Sequence, residues 1–334
     1  MSKVDFIHSQ HAHCESGVTA NLLRHAGIQI SEPMAFGIGA GLFFAHVPFL
    51  KVSGTPATTF RTWPGAVFKR VTQRLHVTVH TEKFRTPEKA MAALDNALDN
   101  GIPVGMQGGV FYLPYLPEVF RFHFNAHNLV VYGKEEGQYL VSDPVLEYTT
   151  TITPDDLARA RFAKGLPEPK GFMYYVIDAP KQVDYTQAIR QGIAQTCFFM
   201  LSPPLRWFGN KAIFLLADRI RKYPRKLTPR RASLYLGNII RMQEEIGTGG
   251  GGFRYLYAAF LQEAGTLLQR DDLQQYAAKL TEIGDSWRSF AYHAARLVKD
   301  RQTDVVSYND LSDMLREIGA KEKAVFEEMR KIQW

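Results

Sequence analysis

The chain has 334 residues, 46% of them hydrophobic, a formal net charge of +7 and only two cysteines. That length and apolar content suit two domains with separate cores. Cys14 and Cys197 lie far apart in unlike contexts, which excludes a disulfide framework and makes a reducing cytoplasm the default. The opening MSKVDFIHSQ lacks an apolar signal core, so secretion is not expected.

The first predicted element carries the most chemistry. In QHAHCESGV, Cys14 stands at the start of a helix that turns Val18, Leu22 and Leu23 inward and ends at Gly27. A thiol there meets unpaired backbone N–H groups and the positive end of the helix dipole, and both favour the nucleophilic thiolate. A Gly-rich stretch, FGIGAGLFF, follows, then strand-like RLHVTVH. Thr86-Pro87-Glu88 opens a second helix, striped by Met91, Leu94 and Leu98 and closed by Gly101. IPVGMQ and VFYLPY then read as a strand pair around Gly108-Gly109.

The segment HNLVVYGKEEGQYLVSDP reads as a β-hairpin, since the apolar runs Leu129 to Tyr132 and Tyr139 to Val141 flank a polar turn, Lys134 to Gln138. Folding it symmetrically about Glu135 sets His127 directly across from Asp143, and opposed residues share a face with Cβ atoms roughly 5 Å apart. A slip of one residue would put them on opposite faces. Thiol, imidazole and carboxylate are the nucleophile, base and orienting group that acyl transfer through a covalent intermediate requires. Each alone has a plainer reading: a buried cysteine as a small hydrophobe, a structural histidine, an Asp-Pro turn.

A short helix begun by Thr153-Pro154 and the strand FMYYVID follow, and the linker DAPKQVD marks a boundary between domains 1–180 and 181–334. The rest is helical. RRASLYLGNIIRMQEEIG, FRYLYAAFLQEAGTLL and LSDMLREIGAKEKAVFEEMRK repeat apolar residues at helical spacing, which predicts a bundle. The apolar region Ile193 to Ile220 is interrupted by Pro203 and Pro204 and carries Arg206, Lys211 and Arg219, so it is no membrane span. From Arg206 to Arg231, nine basic residues face a single acid, Asp218. That block is a solvated helix face, a docking patch for an acidic carrier protein, or a surface for anionic lipid. No nucleic-acid-binding motif accompanies the charge.

Gly249 to Gly252 lacks the Lys and Ser/Thr of a phosphate loop and does not follow a strand. It reads as a flexible connection or, with Arg254, as an anion cradle for part of an acyl donor. His8, His11, His13 and Cys14 are crowded, and His76 and His80 share a strand face, yet they show no familiar zinc spacing, and no metal is expected.

The run HCESGVTANLLRHAGIQISEPMAFGIGAGLFF, with YLPY, HFNAHNLVVYG and SDP, resembles the butirosin-type acyltransferases, which move an aminoacyl group from an acyl carrier protein onto an amine. GTGGGGFRYLYAAFLQEA is similar to the glycine-rich signature of the helical domain that accompanies them. The resemblance implies an α+β chain: a papain-like N-terminal domain followed by an all-α domain. It makes Cys14 the nucleophile, His127 the base and Asp143 the orienting acid. Papain-like peptidases carry an oxyanion-hole glutamine several residues before the cysteine; Gln10 stands only four before it, and Gln107 in VGMQGG is the alternative, with the Cys14 N–H available to either. Glu32 in SEPMAFG contacts the acceptor amine or caps a loop.

The implied enzyme is cytoplasmic and cofactor-independent, with phosphopantetheine arriving on the carrier protein and a small amine or alcohol as acceptor, in secondary-metabolite or lipid biosynthesis. Peripheral membrane contact is a further expectation, and nucleic acid is not an expected partner. A cysteine peptidase or amidase using the same residues is the alternative, and a catalytically silent binding module the third class.

Overall fold

The computed structural model describes residues 2–52, 54–165, 167–299 and 306–334. In chain order its elements begin with β1 (Ser2–Lys3), α1 (Cys14–His25), α2 (Glu32–Ile38), β2 (Leu42–Val52), β3 (Thr55–Arg61), α3 (Ala66–Arg74) and β4 (Thr78–Glu82). Next come α4 (Pro87–Asp99), β5 (Val104–Gly108), β6 (His127–Glu135), β7 (Gln138–Ser142), β8 (Thr150–Ile152), α5 (Pro154–Arg161) and β9 (Met173–Asp178). Helices then run to the end: α6 (Tyr185–Leu201), α7 (Asn210–Arg221), α8 (Tyr223–Lys226), α9 (Pro229–Glu244), α10 (Arg254–Leu268), α11 (Asp271–Val298) and α12 (Tyr308–Met329). The chain is of the α+β class read from the sequence.

It divides into two compact units, Met1–Ala35 with Val67–Asp184, and Phe36–Ala66 with Tyr185–Trp334. Residues 36–66 belong with the helical unit, a departure from the linear division at 180. The cause is aromatic packing, because Phe44 and Phe60 of the β2–β3 hairpin stack against Trp287 of α11.

The first unit is built on an antiparallel sheet ordered β4-β9-β5-β6-β7-β8, with β1 pairing β6. Alternation along the strands sorts its side chains between two cores. Val130, Tyr132, Leu140 and Tyr174 pack with Val18 and Leu22 of α1. Leu129, Val131, Tyr139, Val141 and Met173 pack with Leu94 and Leu98 of α4 and Leu157 of α5. With both faces covered, β6 reads in sequence as an unbroken apolar run.

The register of the β6–β7 hairpin sets the site. Glu136 and Gly137, both left-handed at φ 48 and 76, make a two-residue turn between the paired Glu135 and Gln138, tighter than the turn expected. Pairing runs Lys134 to Tyr139 and Gly133 to Leu140, then shifts at a bulge, beyond which Val131 pairs Val141 and Val130 pairs Ser142. Continued, this sets Asp143 opposite Leu129, so His127 is its diagonal neighbour and not the residue directly across. Sidedness is nonetheless preserved. Without the extra residue at Tyr132, Asp143 would oppose Val130 and face away from His127; the bulge restores the shared face.

Three local readings change. VFYLPY is not a strand: Val110–Tyr112 forms a 3-10 turn, and Pro114 and Pro117 remove N–H donors that a ladder would need. In RLHVTVH the strand begins only at Thr78, and the Gly-rich stretch opens inside helix α2.

In the second unit Trp287, Phe290, Phe44 and Phe60 are buried together. No described helix is long and apolar enough to cross a membrane.

The turn supplies a test of the register. A Cβ at Gly137 meets nothing within 4 Å, so Gly137→Ala should cost only backbone strain, about 1 kcal/mol. A lowered urea midpoint with unchanged slope is the expected result; an unchanged midpoint contradicts the turn.

Candidate active site

Cys14 is the first residue of α1 and is buried. Its loop is pinned by backbone donors that meet carboxylates. Glu32 accepts from Ala12 N at 2.9 Å, from His13 N at 2.7 Å and from Ser16 Oγ at 3.1 Å. Of its two expected roles, the structure displays the loop cap. Glu15, fully buried, accepts from Val67 N at 2.8 Å and Phe68 N at 3.4 Å in the first turn of α3, where a negative charge is favoured by the dipole. His13 caps α1, its Nδ1 accepting from Ser16 N at 3.3 Å.

His127 opens β6 and donates from Nε2 to Asp143 Oδ2 at 2.7 Å. Asp143 is fully buried, and it also accepts from the Tyr115 hydroxyl at 2.9 Å and from Val145 N at 3.2 Å. The imidazole is hydrogen-bonded to Cys14 as well; with Nε2 given to Asp143, Nδ1 is the nitrogen left for the sulfur. Burial alone would lower the histidine's pKa, but the charge and hydrogen bond of Asp143, aided by Cys14, hold it well above 6.5. The ring therefore favours the imidazolium, which stabilises a thiolate beside it. Burial and the neighbouring Asp143 push the Tyr115 hydroxyl well up, so it stays a donor to the carboxylate.

The three residues separated in sequence thus form one hydrogen-bonded chain, from Cys14 through His127 to Asp143. Two partners escaped the sequence reading. Asn128 Nδ2 lies 3.9 Å from Cys14 Sγ, and Asn128 Oδ1 accepts from the Tyr174 hydroxyl at 2.8 Å. Tyr115 closes the YLPY run, but nothing in its spacing ties it to Asp143, 28 residues on.

The other expected residues fall as follows. Gln10 is exposed on the loop before α1. Gln107 is buried in β5 and pairs with Asn128, sharing the sheet face whose neighbouring amide reaches the sulfur. Arg254 lies in the second unit, fully buried, with Nε and Nη2 on the Glu322 carboxylate at 2.8 and 3.0 Å and Nη1 on Gly252 O at 2.7 Å. Trp287 Nε1 donates to the same carboxylate at 2.6 Å. The anion this guanidinium holds is the protein's own, so the expected contact with an acyl donor is replaced by a core ion pair. In the glycine run, Gly251 N likewise donates to the Glu244 carboxylate at 3.2 Å.

The crowded histidines hold the loop. His8 Nδ1 accepts from Ser142 Oγ at 2.7 Å and its Nε2 donates to Leu146 O at 3.1 Å, while His11 Nε2 lies 3.0 Å from Asn21 Oδ1. Among the described residues no group of three or more His, Cys, Asp or Glu is arranged to hold a metal. Cys197 is buried in α6, and burial pushes its thiol up to about 12.

Residues 13–144 match the family described as Butirosin biosynthesis protein H, N-terminal, a span that holds all three members of the chain. Residues 155–329 match the family described as Domain of unknown function (DUF4872). No curated protein matches. A solved structure of a C39-like peptidase from Bacillus anthracis is similar at 15% identity over 55% of this chain and 98% of that one, with a TM-score of 0.38. The N-terminal region is thus BtrH-like, as the sequence resemblance implied, and the matched span brings Cys14, His127 and Asp143 together.

Iodoacetamide labelling of Cys14 against pH tests the ion pair, with Cys197 too weakly acidic to interfere. Wild type should label well below the ordinary thiol midpoint of about 8.5, and His127→Ala should return the profile to that range. Identical profiles contradict the pairing.

Proposed function

We propose that the chain, which belongs to the family described as Domain of unknown function (DUF4872), is a cysteine acyltransferase that takes its acyl group from an acyl carrier protein thioester. The observation that carries the proposal is the 2.7 Å His127–Asp143 bond with the Cys14 sulfur on the same ring. The description of the matched N-terminal family as a biosynthesis protein supports group transfer over proteolysis.

In the proposed cycle the Cys14 thiolate attacks the thioester carbonyl, and the tetrahedral adduct collapses by breaking the bond to the pantetheine sulfur. His127 gives its proton to that departing thiolate, leaving an acyl-Cys14 thioester and a neutral imidazole. An amine or hydroxyl acceptor then loses its proton to His127 as it attacks, and the Cys14 thiolate leaves. Asp143 holds the ring in one orientation and balances its positive charge at each protonation. The Cys14 N–H supplies an oxyanion donor. No cofactor enters the cycle, because the pantetheine belongs to the substrate. The basic stretch Arg206 to Arg231 suits the acidic surface of a carrier protein.

Mixing the protein with acyl-loaded carrier protein should give an acyl adduct on Cys14 by intact mass, discharged faster by an amine than by water and absent in Cys14→Ala. Peptide or amide hydrolysis without a thioester-derived adduct contradicts the transferase and favours the hydrolase.

A further inference from the structure

Asn128 follows the base directly, so strand alternation turns it to the opposite face, the one covered by α1. There the residue is 1% exposed. Its amide has one consistent orientation. The carbonyl of Ala126, 3.0 Å from Nδ2, can only accept, so the NH2 end must face it. Oδ1 is then left to accept from the Tyr174 hydroxyl at 2.8 Å, and the second N–H of Nδ2 points to Cys14 Sγ at 3.9 Å. The tyrosine hydroxyl, pushed well up by burial and by the negative charges of Glu15 and Cys14, remains a donor throughout the neutral range.

Building on the reading of Cys14 as nucleophile, we infer that Asn128 stabilises the charged sulfur by donating to it from beneath α1, with Tyr174 as the positioning residue that fixes the amide. The sulfur is then held from two sides, by the His127 ring and by a neutral amide that cannot take its proton. A contact of this length is weak with a neutral thiol; charge on the acceptor shortens and strengthens it, so it favours the thiolate selectively. Its burial under the helix separates this role from an oxyanion hole, which must face the incoming carbonyl.

The separating readout is the pH midpoint of Cys14 alkylation in the full-length protein, followed by intact mass. Asn128→Leu, similar in volume and without a donor, should raise the midpoint by about one unit, a roughly tenfold loss of labelling rate below it, with the high-pH plateau unchanged. Asn128→Asp should raise it further by setting a carboxylate against the sulfur. Tyr174→Phe, which deletes one oxygen and keeps the ring, should shift it the same way by less. Wild-type midpoints in the folded Asn128 variants overturn the inference; if those variants do not fold, an unshifted Tyr174→Phe overturns it alone. A wild type that labels only in the ordinary thiol range sinks the nucleophile reading instead.

Discussion

Everything at the site depends on a fully buried carboxylate, Asp143, bonded to His127 Nε2 at 2.7 Å. Burying a charge is expensive unless its lone pairs are filled. Here the ring, the Tyr115 hydroxyl and the Val145 N–H fill them. The same bond reserves Nδ1 for the sulfur and makes the imidazolium the favoured state, so an orienting contact becomes an electrostatic one. Remove it, and burial would drive the ring toward neutrality.

The bond exists because of backbone geometry some distance from it. The left-handed pair Glu136 and Gly137 fixes one register, which by itself would turn Asp143 to the wrong side, and the bulge at Tyr132 corrects that by one residue. Two buried acids do comparable work around Cys14. Glu32 ties the loop before α1 and Glu15 ties α1 to the first turn of α3, so the position of Cys14 is held on both sides by carboxylate-to-backbone bonds. Rigid placement of this kind is what the proposed chemistry requires of a thiol that must act without reorganisation.

The sequence made the placement of Cys14 legible because it sits at an obvious helix start, and it made the His–Asp pair legible through the hairpin pattern. The register inferred for that hairpin was off by two residues, an even error that left the faces right; turn tightness and a bulge offset each other, and neither has a signature in alternation alone. Asn128 was hidden in an apolar run beside a more conspicuous histidine. Tyr115 and Tyr174 reach the site only through tertiary folding. Arg254 was misread because a cation next to glycines looks like an anion seat until Glu322, 68 residues away, is seen to occupy it. The exchange of residues 36–66 escaped for a similar reason, since Phe44 and Phe60 look like any strand residues until Trp287 is placed against them.

The most direct test of the central claim is an NMR titration of the His127 ring. The account predicts a ring protonated well above 6.5 in the wild type, as its buried partners require, with a lower titration point once Cys14→Ala removes the sulfur. A ring that titrates near 6.5 in both proteins would contradict the imidazolium–thiolate pair on which the proposed chemistry rests.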